Sequence, residues 1–295
     1  MGFSVNTNIG ASAALQSLNA TSKALNTTQN RINTGLNVAS TKDDSASYTV
    51  AQSLRSDVSG LKAVGASLSR AKSVTDVAIA GAEQISDILG QLKAKATQAS
   101  DAGIDAPTLA ALNKDFVALR DQITTVVKAS SFNGTNLLKT DTTAAGKVTA
   151  IQSLGGEVTV AGPPVATTYT PDTLTVNNVD LDLGSATGSF ALLTGSTDIS
   201  TTTFATAAVG IIKDAQTMLG AKLSDLGAAS RQIDAQSTFT SKLSDVVEAG
   251  IGNLVDADLA KESARLQALQ VKQQLGVQAL SIANQAPQTI TSLFR

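Results

Sequence analysis

The residues in this chain best placed to do chemistry are its closely spaced carboxylates, Asp43 with Asp44 and Asp256 with Asp258. Such pairs can share a proton for acid/base work or take a hard, oxygen-preferring cation. Their surroundings favour neither use. The chain has no His and no Cys, which removes imidazole bases, thiolate nucleophiles and nitrogen or sulfur metal ligands. No second cluster of oxygen ligands accompanies either pair. Both lie where helices are predicted to start, and a carboxylate there opposes the helix dipole. Capping is therefore the expected role of all four, with no catalytic residue, metal or cofactor. Asn19, Asn26 and Asn133 each open an Asn-X-Thr triplet, which without a secretory signal is taken as chance.

Hydrophobic spacing predicts the elements that carry these groups. In the tail, Leu259, Leu266, Gln273, Leu280, Pro287 and Phe294 fall seven apart, with Glu262, Leu269, Gly276, Ala283 and Ile290 at the half-steps. In the head, Leu15, Leu18, Ser22, Leu25, Gln29, Ile32 and Leu36 alternate steps of three and four. Each end is thus one narrow apolar seam on a polar helix, and neither buries its seam alone. The predicted arrangement pairs head with tail, with Pro287 a local kink or helix end.

The head helix is predicted from Ile9 or Ala11 to about Gly35. A shift of phase then marks a joint over Gly35 to Asp44, where Thr41 to Asp44 forms a capping box. A second helix, about Ser45 to Ser100, carries Leu54, Leu61, Leu68, Thr75, Ala82, Leu89 and Ala96 with Val64, Ala71, Ala78, Ile85, Leu92 and Ala99 between them. Gly60, Gly65, Gly81 and Gly90 weaken it, so tertiary partners must hold it. Pro107 opens a third helix lined by Leu109, Leu112, Phe116, Leu119, Ile123 and Val126. From Asp141 to about Thr203 the texture becomes Thr-rich and acidic with alternating apolar residues, the mark of a small β insertion. A helix resumes near Thr203 with Ile212, Leu219, Leu226, Ile233, Thr240, Val247 and Leu254 seven apart, and a second joint follows at Asp256 to Asp258.

The expected fold is mainly α: a long antiparallel coiled-coil or helical bundle with paired terminal helices and a small β-rich insertion. Three domains are expected, 1–43 with 257–295 as a terminal coiled coil, 44–140 with 204–256 as a helical body, and 141–203 as an outer insertion. The 295 residues suffice for that many cores. Seven Phe, two Tyr and no Trp make an aromatic-poor chain, and the net charge of −2 with scattered Lys and Arg offers nothing to nucleic acid. The first residues, MGFSVNTNIGAS, contain neither a basic segment nor an apolar run, so no Sec-type signal is expected. No stretch nears the roughly twenty apolar residues of a membrane span, so no membrane insertion is expected.

Several motifs in the same order resemble the bacterial flagellins of compact type, with a short variable insert. They are Arg31-Ile-Asn-Thr-Gly35 followed by Lys42-Asp-Asp44, then Phe132-Asn-Gly-Thr-Asn-Leu-Leu138, then Ala283-Asn-Gln-Ala-Pro-Gln288 before Leu293-Phe-Arg295. The likeness covers everything except roughly Asp141 to Thr203. It implies a structural subunit, not an enzyme, that polymerises into the flagellar filament for motility, with its paired ends lining the central channel. It also implies unfolded export through the flagellar type III apparatus with an export chaperone, contact with hook-associated and cap proteins, and an extracellular place in the filament. The alternatives are a hook-filament junction or capping protein with similar ends, and a filament-borne secreted enzyme.

On this reading subunit packing falls to Leu15, Leu18, Leu25, Ile32, Leu36, Leu259, Leu266, Leu269, Leu280, Ile290, Leu293 and Phe294. The joints fall to Arg31, Gly35, Asp43, Asp44, Asp256 and Asp258. Similar flagellins are recognised by a vertebrate receptor through an Arg, a Leu one turn on and an acidic residue, positions that align here with Gln91, Lys95 and Asp115. The insert, poor in apolar area, is expected to face solvent and to be dispensable.

Overall fold

The structure is a computed structural model and describes residues 8–139, 146–159, 168–183, 190 and 192–293. In chain order these form α1 (Ile9–Thr34), α2 (Ser45–Ala99), α3 (Ala106–Ala129), β1 (Val148–Thr159), β2 (Thr168–Val176), α4 (Thr202–Val255) and α5 (Leu259–Leu293). The fold is mainly α with one small antiparallel sheet. The chain divides into two compact units, Met1–Val58 with Asp245–Arg295, and Ser59–Ser244.

In the larger unit the seams predicted for α2 and α4 are buried. From Leu61 to Ala99 every α2 seam position is buried, as are Ile212, Leu219, Leu226 and Ile233 of α4. Phe116, Ile123 and Val127 of α3 complete this core. Thr75 lies in the seam without cost because its hydroxyl donates to the Ala71 carbonyl, 2.9 Å away. Two of the glycines that weaken α2 have a packing reason. A β-carbon on Gly81 would stand 2.2 Å from Ser130 Oγ and 2.8 Å from Leu138, and one on Gly60 would stand 2.5 Å from Leu154.

The segment after α3 explains the Phe132–Leu138 motif. Asn133 and Gly134 both have positive φ, +49° and +80°, and Phe132 and Thr135 exchange backbone hydrogen bonds across them. Asn-Gly is the pair that tolerates such a turn. Asn136 then donates to the Val127 carbonyl at the end of α3 and accepts from the Leu138 amide. This fixes Leu137 and Leu138, both fully buried.

The insert departs from expectation. β1 and β2 pair from Val148↔Val176 to Ile151↔Thr173 and again from Gly156↔Pro171, and the intervening bulge of β1 docks on the helices. There Ile151 N–H donates to Ser67 Oγ, and Gln236 Nε2 donates to the Gln152 carbonyl. Val148, Ala150, Leu174, Val176, Val179, Leu181, Phe190, Leu193 and Ile199 are buried in the same core as α2, α3 and α4. Among its described residues the insert therefore contributes these side chains to the helical core. Its isolated apolar residues look sparse in sequence because each closes over helical seams that lie far away along the chain.

Two further details differ. Leu254 is exposed, while Ile251 and Val255 are buried against Val38, Ala51 and Val58, so the α4 stripe shifts phase in its last turns. α5 continues past Pro287 to Leu293, so Pro287 does not end the helix.

Candidate assembly surface

The smaller unit brings the two ends of the chain together. α1 begins on Asn8, whose Oδ1 accepts the Ala11 amide at 3.0 Å, and closes on Gly35 at φ +70°, a left-handed cap that suits glycine. Asn8 also reaches α5, its Nδ2 donating to the Ala283 carbonyl at 2.8 Å. Leu18 packs on Gly276, where an added β-carbon would lie 3.2 Å from its Cδ1. At the other end Arg31 Nη1 stands 3.2 Å from Glu262 Oε1. The helices are antiparallel in one consistent register.

The joints are stitched to each other. Asn37 and Val38 both donate backbone hydrogen bonds to the Val255 carbonyl, and Ala257 donates to the Gly35 carbonyl, with Leu36 bridging Asp256. Two of the four aspartates cap helices and two do not. Asp44 is the cap of α2, accepting from the Ala46 and Ser47 amides and, at 2.7 Å, from the Ser47 hydroxyl. Those bonds, the Ser47 hydroxyl foremost, hold its carboxyl below the ordinary carboxylate range. Asp258 caps α5 through the Ala260 and Lys261 amides, each at 3.0 Å. Asp43 instead folds back onto its own loop, accepting from the Ala39 and Ser40 amides. Asp256 ends α4, its amide donating to the Gly252 carbonyl. The cap of α2 is thus Asp44, one helical turn after the Thr41 start of the predicted box.

Leu18, Leu25, Ile32 and Leu36 of the head are half-buried, as are Leu266 and Leu280 of the tail, and Leu269 is buried. Leu15 and Leu259 are exposed instead, 49% and 50%. In α1 the covered line runs through Ala11, Ala14, Leu18, Thr21, Leu25 and Thr28, in alternating steps of three and four, which leaves Leu15 and Gln29 on its edge. Ile290 and Leu293 belong to α5 but their side chains are outside those described, and Phe294 lies outside the described residues. The Asn and Thr residues before the head helix offer caps, and Asn8 is the one used; sequence reasoning missed its cross-helix bond and the burial of Thr28. It also missed a second apolar stripe on α5, Val271, Leu275 and Ile282, all exposed, although their spacing of four and seven is visible in the sequence. In the larger unit, Gln91 is exposed and Lys95 Nζ lies 2.7 Å from Asp115 Oδ2. Among the described residues no helix is long and apolar enough to cross a membrane.

These features define a structural helical subunit, with apolar stripes at both ends of the chain and no assembled reaction centre in the arrangement described. The bacterial flagellin N-terminal helical region matches residues 5–143 and the C-terminal helical region residues 209–294. The chain belongs to the bacterial flagellin family; it is a self-polymerising component of the flagellar filament and not an enzyme. It is 43% identical to flagellin FljM of Caulobacter vibrioides over 99% of this chain and 98% of that protein. It is 37% identical to a flagellin of Brucella melitensis, over 99% of each. The fold also matches that of a protein described as flagellar hook-associated from Vibrio parahaemolyticus, with a TM-score of 0.52, 14% identity, and coverage of 72% of this chain and all of that one.

Proposed function

We propose that the terminal pair is the part of this filament subunit that folds fully only against neighbouring copies. One observation carries this reading: the pair leaves its apolar residues uncovered. Thr28 is the one buried side chain of α1, and Glu262 and Leu269 are those of α5 among the side chains described, whereas Leu15, Leu259, Val271, Leu275, Val277 and Ile282 are all about half exposed or more. A few half-buried Leu and Ile contribute several kcal/mol at ~25 cal/mol per Å², while ordering each terminal residue costs ~1 kcal/mol. Neighbouring subunits would cover the second stripe, so folding of the ends and polymerisation become one concentration-linked event.

In this reading residues 1–43 with 257–295 line the channel, 44–140 with 204–256 form the body, and 141–203 lie outermost. The packing positions are those named above from Leu15 to Phe294, with Arg31, Gly35, Asp43, Asp44, Asp256 and Asp258 at the joints. The subunit passes unfolded through the flagellar type III apparatus with an export chaperone, meets hook-associated and cap proteins, and ends outside the cell. Hydrogen exchange on the monomer tests the central claim. Little protection is expected across Leu15 to Leu36 and Leu259 to Leu280, rising strongly in filaments, and removing 286–295 should abolish filaments while leaving 45–254 as stable as before. Strong monomer protection of both ends would end this reading. Long tubes in negative stain are expected from concentrated protein, where a junction protein would give discrete particles.

A further inference from the structure

We propose that the Arg31–Glu262 ion pair sets the register in which α1 pairs with α5, making both residues positioning residues for filament assembly. This rests on the reading of α1 and α5 as the assembly elements. The seam between the helices discriminates registers poorly. Ala14, Thr21, Ser22 and Thr28 on one side and Gln273 and Gly276 on the other are small or polar, and their side chains are mostly half-buried. Such a surface can slide by a turn with little change in the area it covers. Asn8 bonds a backbone carbonyl of α5, and carbonyls recur at every turn, so Asn8 secures the far end without choosing the turn.

The ion pair does choose. Glu262 is the sole carboxylate on α5, and α1 carries none, so Arg31 has no second partner on the facing helix. The Glu262 side chain is 9% exposed, and its Oε2 and the Arg31 Nε are buried without a hydrogen-bond partner. A carboxylate this dry depends on its counter-charge. Arg265, on the same helix, comes no closer than 3.8 Å to the Oε1 that Arg31 occupies at 3.2 Å. A slip of one turn moves α1 by about 5.4 Å and takes Arg31 out of reach. One buried polar contact in a permissive seam is a known way to fix helix register.

The chain has no Cys, so introduced pairs report register cleanly. The Ala283 β-carbon lies 4.0 Å from the position of a β-carbon on Gly10, within disulfide range. In filaments under mild oxidation, Gly10→Cys with Ala283→Cys should cross-link within one chain almost completely. Gly10→Cys with Ala279→Cys, which reads a one-turn slip, should give only traces. Adding Arg31→Ala should raise the slipped product several-fold at the expense of the native one. An unchanged pattern would mean that Leu18 on Gly276 sets the register, and the proposal is overturned. If Arg31→Ala does not assemble, Arg31→Glu with Glu262→Arg decides: filaments with the native cross-link support the pair, and their absence overturns it. Failure of the native cross-link in the otherwise unaltered chain would instead remove the α1–α5 pairing itself, and with it the assembly reading.

Discussion

An added methyl group has opposite consequences at two glycines of the same helix. Gly65 has nothing within 4 Å of where a β-carbon would stand, whereas Gly81 faces Ser130 Oγ at 2.2 Å and the Ser130 β-carbon at 3.0 Å. Gly65→Ala should stabilise by about 0.5–1 kcal/mol through helix propensity, and Gly81→Ala should destabilise by about 1–3 kcal/mol through overpacking. Urea unfolding of both variants checks the sign at each site. Asp44 gives a pH-dependent counterpart. Its carboxyl, held low by the Ser47 hydroxyl and the Ser47 amide, contributes stability that is present above the ordinary carboxylate value of about 3.9 and is lost as pH falls through its lower folded value. Asp44→Asn should therefore be less stable than the parent at neutral pH and should converge with it in strong acid. A gap that stayed constant down to pH about 2 would contradict this assignment.

Among the elements, the two-stranded insert closes part of the core. Phe190 is 1% exposed and packs with Leu181 and Leu193 in the core that α2, α3 and α4 share. Truncation to Ala should cost about 3–5 kcal/mol, as for a fully buried aromatic. Deleting 143–200 should go further and expose the seams of α2 and α4, so that the shortened chain melts well below the parent. Thermal unfolding of both variants by circular dichroism is the check, and an unchanged midpoint for Phe190→Ala would show that this part of the core is not closed as described. α5 offers a smaller effect at its start, where Asp258→Ala should cost about 1 kcal/mol for the lost amide bonds.

For the molecule as a whole, we propose that the α2–α3 pair governs recognition by a vertebrate receptor. Where the resemblance to other flagellins implies an Arg, a Leu and an acidic residue, this chain has Gln91, Lys95 and Asp115, and Lys95 Nζ lies 2.7 Å from Asp115 Oδ2. On that reading a fork-shaped cation is missing, an apolar contact is replaced by a charge, and the carboxylate is paired with its neighbour. Weak or absent activation of the vertebrate flagellin receptor is expected in a reporter-cell assay, and Gln91→Arg with Lys95→Leu should raise it. A full response from the unaltered protein would show that these three positions do not govern recognition here.

The helices and their seams were legible because burial along a helix repeats every three to four residues and leaves a periodic trace in composition. Leu61 to Ala99 and Ile212 to Ile233 are the clearest cases. The lack of His and Cys limited the chemistry equally directly. Other features have no such trace. The hydrogen bonds from Asn37, Val38 and Ala257 that join the two connectors use backbone atoms common to every residue, and only proximity in space selects them. Gly81 reads as a helix weakness until Ser130 and Leu138 stand against it. Val148, Leu174 and Phe190 read as scattered apolar residues because a short strand or loop contributes one or two side chains to a core whose other walls lie tens of residues away. Arg31 and Glu262 were each visible as a joint and a seam position, but their pairing required the antiparallel register, a long-range geometric fact that local spacing does not encode.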